Sequence, residues 1–279
     1  MSDIINQKEL FNNPPLQGRE TLFIIKIGGN IIDDENKLAS FIQSFIAIQG
    51  NKILIHGGGK LATKLAKELN IEQQMIDGRR ITDAETLKIV TMVYAGYINK
   101  NIVAKLQLHN CNAVGLSGAD GNTIKAHKRS LKNGIDYGYV GDVDEVNTLF
   151  IQNLLQQKIA VVIAPITVDD KGQLLNTNAD TIAQETAKAM SKLYNVTLIY
   201  SFEKAGVLLD VNNESTVIKS INPEFYSQLK KEKKIFEGMI PKLDNAFEAL
   251  QSGVNKVIIG KAEELQNLID GKSGTSIMQ

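Results

Sequence analysis

Six short apolar runs alternate with longer segments of helical period, and this alternation constrains the fold more than any other feature of the chain. The runs cover residues 22–27, 52–56, 113–116, 160–164, 197–200 and 256–259, and several are apolar without interruption. Segments of helical period cover 35–48, 60–69, 84–107, 147–157, 179–193, 241–252 and 262–269. Strands that read apolar on both sides are buried on both faces, and strands separated by helices are joined by crossovers. The expectation is an α/β fold with an open, mostly parallel central sheet sandwiched between helices. At 279 residues the chain can form one large domain or two lobes. One stretch breaks the alternation: NTIKAHKRSLKNGIDYGYVGDVDEV, residues 122–146, carries the hairpin signal Asn133-Gly134 and predicts an antiparallel pair over the edge of a site. The segment 84–107 is apolar on more than one face, through Leu87, Val90, Met92, Val93, Ile98, Ile102, Val103 and Leu106. Such a helix is either enclosed by the fold or meets a second subunit, so a homodimer is expected.

Composition removes several function classes. Lys plus Arg and Asp plus Glu are both 31, so nothing electrostatic points to nucleic acid or an anionic membrane as partner. Cys111 is the single cysteine, which forbids an internal disulfide and suits a reducing, cytoplasmic location. No apolar run is long enough to span a bilayer, and the first residues lack the apolar stretch of a signal peptide. Pro14-Pro15 interrupts any helix there, so residues 1–20 are expected to form an accessory arm.

The chemistry-bearing residues lie where strands end. In FIIKIGGN, Lys26 occupies an apolar run and Gly28-Gly29 follow it. A strand, a glycine pair and a helix start form an anion site, since free amides and the helix dipole both favour negative charge. The bland alternative is a lysine whose stem lies along an edge strand. In KILIHGGGK, the second run ends in Gly57-Gly58-Gly59, as if something must approach the backbone closely. Three motifs compete for these glycines. A P-loop fails, because Leu61 follows Gly59-Lys60 and Leu54 stands where the first glycine belongs. A dinucleotide fingerprint fits Gly57-x-Gly59-x-x-Ala62 in relaxed form, with Asp77 as acidic partner, although its surroundings do not read as a strand. A lipase-type oxyanion loop lacks its G-x-S-x-G partner.

Further along, Arg79 and Arg80 precede a helix that Thr82 or Asp83 can cap, and an arginine fork suits a carboxylate. LLNTNAD places Asn176, Asn178 and Asp180 around a helix start, more short polar residues than one cap requires. In FEGMIPKL, Pro241 suits a first helical turn and puts Lys242 in that turn. A cation there opposes the helix dipole unless an anion binds at that end. Two lysines, each near glycine and a helix N-terminus, suit a transferring phosphoryl group. His56, His109 and His127 stand in no triad-like setting.

Taken in order, IIKIGGN, IHGGGK, GRRIT, LLNTNAD, GVLLD, GMIPKL and the closing GTSI resemble the amino acid kinase family, and within it the acetylglutamate kinases. The resemblance covers nearly everything from Leu22 onward. It implies a carbamate kinase-like fold in which residues 21–195 form an acylglutamate-binding lobe and residues 196–279 a nucleotide-binding lobe. It implies ATP-dependent phosphorylation of the side-chain carboxylate of N-acetyl-L-glutamate to N-acetylglutamyl 5-phosphate, in arginine biosynthesis. By the same resemblance Lys26 and Lys242 stabilise charge and Asp180 orients them. Gly28 and Gly29 lie along the phosphates, Gly57 and Gly58 along the acylglutamate, with Gly29 and Gly58 lending amides to the phosphoryl group. Arg80 and Asn176 hold the α-carboxylate end, and Ser201, Gly206, Val207, Leu208, Phe236, Glu237, Gly238 and Met239 line the nucleotide. Mg²⁺ is expected to ride on the ATP phosphates, with no dedicated metal site in the protein. SFEKAGVLLD departs from the family by one extra residue, Phe202-Glu203 replacing the usual aspartate. Alternatives are an N-succinylglutamate kinase or another member of the family. Outside it stand an NAD(P)-binding oxidoreductase and a non-catalytic arginine or nitrogen sensor.

Overall fold

The structure, a computed structural model, describes residues 18–76, 79–131, 134–235 and 239–279. In chain order, β1 (Thr21–Ile27) leads through the short α1 (Gly29–Ile32) and α2 (Glu35–Ala47) to β2 (Asn51–His56) and α3 (Gly59–Glu68). A small hairpin follows, β3 (Met75–Ile76) and β4 (Arg79–Arg80), and then α4 (Ala84–Thr91), a π-helical segment (Met92–Ile98) and α5 (Asn99–Leu108). β5 (Ala113–Leu116), β6 (Ile124–Lys128), β7 (Gly141–Val146), α6 (Thr148–Gln156), β8 (Ala160–Ile163), β9 (Ile166–Val168), β10 (Leu174–Asn176) and α7 (Ala179–Met190) continue the chain. The last part holds β11 (Asn195–Phe202), β12 (Ser220–Ile221), α8 (Pro223–Lys231), α9 (Ile240–Gln251), β13 (Lys256–Lys261), α10 (Leu265–Ile269) and β14 (Thr275–Ile277).

All six runs expected as strands lie in one eight-stranded sheet of order β12-β14-β13-β11-β1-β2-β8-β5. It is parallel apart from the antiparallel contact of β14 with β13. Side chains alternate across a strand, so each strand feeds two cores. Leu22, Ile24, Ile53 and Ile55 pack with α6, α7, α8 and α9, whereas Ile25, Ile27 and Leu54 pack with α2, α3, α4, α5 and α10. The α/β sandwich read from the sequence is therefore the observed architecture.

Two details place the site. The crossover from β1 to β2 lies in the second core through α2, and that from β11 to β13 lies in the first core through α9. The chain thus winds outward in opposite directions from the β1–β11 pair, and ligands bind at the carboxyl ends of strands where the winding reverses. A second, four-stranded sheet, β10-β9-β6-β7, stands beside it. Its β6–β7 pair is antiparallel, as the 122–146 segment led us to expect. Of the turn signal Asn133-Gly134, Asn133 is outside the described residues; Gly134 has φ +77°, which glycine adopts freely.

The segment 84–107 is one helix with an unexpected middle. Residues 92–98 are π-helical, a geometry that is rare and concentrated at functional sites. Asp83 caps it, accepting from the Thr86 amide at 2.7 Å. The helix buries Leu87, Val90, Val93, Ile98, Ile102 and Leu106, yet leaves Met92 and Tyr97 54% and 65% exposed. Among the described residues no helix is long and apolar enough to cross a membrane.

Candidate active site

Lys26 sits next to the end of β1, between the buried Ile25 and Ile27. Its Nζ lies 2.8 Å from Oδ1 of Asp180. Asp180 stands in the first turn of α7, where Asn178 caps the helix by accepting from the Asp180 and Thr181 amides at 2.8 and 3.2 Å. Lys242 stands in the first turn of α9, whose Pro241 needs no amide partner there. Its Nζ donates to Oδ2 of Asp180 at 2.8 Å. One carboxylate thus receives an ammonium on each oxygen. Burial acts to raise the Asp180 pKa, but the charges and hydrogen bonds of Lys26 and Lys242 overcome it and hold the group well below the usual carboxylate range. The trio carries a net positive charge at neutral pH, at the meeting of two helix N-termini that add to the same field.

The glycines explain themselves geometrically. Gly58, at the start of α3, has φ +150°, and a Cβ there would stand 2.3 Å from Cδ1 of Ile98 and 3.1 Å from Cδ1 of Tyr94. Backbone conformation and close packing both exclude a side chain. The opening of α3 carries amides without intrahelical acceptors. They border an open cleft of ≈ 260 Å³ whose wall includes Lys26, Gly28, Gly29, Gly57, Gly58 and Gly59.

Arg79, Arg80 and Arg129 join Lys26 in that wall, against Asp180 as its carboxylate among the described residues. Asp180 is already matched by its two lysines, so the cleft is built for negative charge. Arg80 is buried and held by its Nη2, which donates to Gly59 O at 3.1 Å and Thr63 Oγ1 at 2.9 Å, while Nη1 bonds Gln73 Oε1. Arg129, at the start of the β6–β7 connection, donates from Nε to both oxygens of Asp142 at 3.0 and 3.1 Å. Asn176, the last residue of β10, donates to Thr82 Oγ1 at 3.0 Å and also faces the cleft.

A second hollow, ≈ 250 Å³, is walled by Phe202, Val207, Leu208, Ile235 and Met239, with Lys204 and Lys242 as its charged members. Gly206 belongs to it for a packing reason: a Cβ would meet Thr275 Oγ1 at 2.6 Å, the same oxygen that accepts from the Val207 amide at 2.8 Å. A third depression shares Gly28, Gly29 and Gly59 with the cleft and Phe202 and Lys204 with the apolar hollow, and adds Lys60. The three form one trough: cationic at one end, apolar at the other, glycine-lined between.

Lys26, Asp180, Gly28, Gly29, Gly57, Gly58, Arg80 and Asn176 therefore gather in the cleft, and Lys242, Gly206, Val207, Leu208 and Met239 in the apolar hollow. Ser201 is buried in β11 and is not part of that hollow's wall. Phe236, Glu237 and Gly238 lie outside the described residues, as does Asp77. Sequence reasoning did not single out Tyr94 or Arg129; it met Lys60 only in a rejected P-loop match, and Lys204 only inside the stretch 201–208 expected along the nucleotide. Arg129 carried a faint signal as part of a basic run in a hairpin expected at the site's edge; Tyr94 carried none, since an aromatic in an apolar helix reads as core. Among the described residues no group of three or more His, Cys, Asp or Glu could hold a metal ion.

The chain matches the sequence profile described as the amino acid kinase family over residues 21–261. It is 57% identical over 251 residues to the acetylglutamate kinase of Cytophaga hutchinsonii, covering 90% of this chain and 95% of that protein. It is 53% identical over 259 residues to the acetylglutamate kinase of Phocaeicola vulgatus, covering 93% and 99%. In three dimensions it is similar to the carbamate kinase from Giardia lamblia bound to AMP-PNP, with TM-score 0.64 at 15% identity over 94% of this chain and 99% of that one, a likeness of fold.

Proposed function

The chain belongs to the amino acid kinase family, and on that premise we propose that it is an acetylglutamate kinase, transferring the γ-phosphoryl group of ATP to the side-chain carboxylate of N-acetyl-L-glutamate. Its high identity to acetylglutamate kinases over most of the chain supports the activity. The observation that carries the mechanism is the convergence of Lys26 and Lys242 on Asp180, where the cationic cleft meets the apolar hollow.

The acceptor carboxylate is ionised at neutral pH, so no general base is needed. One of its oxygens attacks the γ-phosphorus as the bond to the β–γ bridging oxygen breaks, and ADP leaves with that electron pair. The difficulty is bringing two anions together in line. Lys26 faces the acceptor side and Lys242 the nucleotide side, and the glycine amides between them point at the group in transit. Asp180 keeps both ammonium groups aimed. Arg80 and Asn176 hold the α-carboxylate end of the acceptor. The apolar hollow takes the adenine, and Lys60 and Lys204 flank the phosphates. Mg²⁺ enters with ATP as part of the substrate, its charge shared among phosphate oxygens and water.

Residues that face the cleft come from 26–180 and those of the hollow from 202–242. This supports an acylglutamate lobe at 21–195 and a nucleotide lobe at 196–279, preceded by an arm at 1–20. We further propose a cytoplasmic homodimer acting in arginine biosynthesis, joined through the helix that exposes Met92 and Tyr97. The activity is tested by incubating purified protein with ATP, Mg²⁺ and N-acetylglutamate and trapping acyl phosphate as hydroxamate, with N-succinylglutamate in parallel. Hydroxamate that depends on both substrates is expected; none with either acylglutamate overturns the reading.

A further inference from the structure

His56 is fully buried at the end of β2, next to the glycines of the cleft, and takes no part in the chemistry above. Both its ring nitrogens are engaged. Nδ1 lies 2.8 Å from Gly57 O and Nε2 lies 3.3 Å from Nδ2 of Asn99. Asn99 is also fully buried, at the first position after the π-helical segment. Its amide has a fixed orientation, because Nδ2 donates to Val162 O at 3.0 Å while Oδ1 accepts from Lys100 Nζ at 3.0 Å. Lys100 is itself anchored, donating to Gly115 O at 2.7 Å. Room for the Asn99 amide exists because residue 115 is glycine: a Cβ there would stand 1.9 Å from Asn99 Oδ1.

We infer that His56 is a positioning residue: Asn99 fixes its tautomer with hydrogen on Nδ1, and the ring then holds the Gly57–Gly58 peptide so that the Gly58 amide faces the group in transfer. A donor already facing Nε2 makes that nitrogen the acceptor, which leaves Nδ1–H to donate to Gly57 O. Burial pushes the His56 pKa down to about 4, with Lys100 acting in the same direction, so the ring is neutral at working pH. In a trans peptide the carbonyl and the next amide point in opposite directions. A carbonyl drawn toward buried His56 turns the Gly58 N–H outward. The same helix, through Tyr94 and Ile98, leaves no room for a side chain at Gly58. The helix thus sets Tyr94 and Ile98 against Gly58 and Asn99 against His56.

This inference rests on the kinase reading, and the test separates the two. Wild-type turnover in the hydroxamate assay is the reference. His56→Leu, which cannot donate, is expected to lower kcat by about 100-fold, the scale of a misplaced contact near 1 Å, with KM for both substrates changed far less. His56→Asn, whose Nδ2 stands close to the position of Nδ1, is expected to recover most of kcat. A folded His56→Leu enzyme that turns over like wild type, or a His56→Asn enzyme as slow as His56→Leu, overturns the inference. Should His56→Leu not fold, the nitrogen-15 shifts of the wild-type ring decide, identified by their loss in His56→Asn: Nδ1–H supports it, Nε2–H overturns it. An inactive wild type instead removes the kinase reading.

Discussion

Lys242, in the first turn of α9, donates from its Nζ to Oδ2 of Asp180, in the first turn of α7, across 2.8 Å. Two helix N-termini therefore lie side by side, since Lys188 and Glu248 pair further along the same two helices, and Lys26 closes the group from β1. Positive ends and positive side chains repel, and one carboxylate holds them together. The arrangement makes physical sense when a more highly charged anion arrives there.

Asp180→Asn is expected to destabilise the free protein and to flatten its acid response. Removing the carboxylate leaves two ammonium groups facing each other, a loss of about 1–3 kcal/mol, scaled down from a fully buried pair because the side chains retain some solvent contact. Asp180 titrates below its ordinary 3.8 in the folded state. Its contribution is therefore complete above that value and is lost as pH falls through and below it. Urea unfolding at pH 7 and at pH 3 should show a steeper loss in wild type than in the variant; parallel losses would remove Asp180 as the linked group.

Gly58→Ala is expected to cost about 2–4 kcal/mol, combining strain at φ +150° with a Cβ placed 2.3 Å from Ile98 Cδ1. Ile98→Val deletes that methyl and costs about 1 kcal/mol alone. Combined, the two should cost less than their sum, since one relieves the other's clash. Strict additivity in thermal melts would show that Ile98 does not enforce the glycine.

Arg80→Lys keeps the charge but not the fork that reaches Gly59 O and Thr63. It should raise KM for N-acetylglutamate about tenfold, corresponding to roughly 1.4 kcal/mol of lost charge-assisted hydrogen bonding, and change KM for ATP little. Initial rates over a range of acceptor concentration check this; an unchanged acceptor KM would detach Arg80 from the acceptor.

Met92 and Tyr97 expose 54% and 65% of their surface on a helix that buries Leu87, Val90, Val93, Ile98, Ile102 and Leu106. Light scattering should give twice the 30.7 kDa chain mass, and Tyr97→Glu should shift the equilibrium toward the monomer by burying a charge in the interface. A wild-type monomer at working concentration would contradict the dimer.

The sequence carried the sheet and most of the cleft because both rest on local, strong signals. Uninterrupted apolar runs marked the parallel strands, and glycines beside Lys26 and His56 marked the strand ends. What it hid depended on tertiary context. β9, β10, β12 and β14 are three residues or fewer, too short for periodicity to register. α8 carries its signal in Asn222, which caps it, in Pro223 and in the single apolar pair Tyr226 and Leu229, which is brief for a helical period. Gly96 and the β-branched and aromatic residues of 92–98 weaken a helix without specifying a π turn, so nothing there announces the extra residue per turn. Tyr94 and Arg129 come to the cleft from elements whose approach only the folded sheet defines. His56 read as a histidine without a triad, which it is; its partner Asn99 lies on another element.

Rapid-quench measurement of phosphoryl transfer at saturating ATP and N-acetylglutamate, with Lys26→Ala and Lys242→Ala beside wild type, tests the central claim most directly. Each substitution should slow the transfer step about 10²–10³-fold, the cost of one preorganised donor at a developing charge, with nucleotide affinity reduced far less. A near-normal transfer rate in either variant would contradict the convergence of the two lysines on the phosphoryl group.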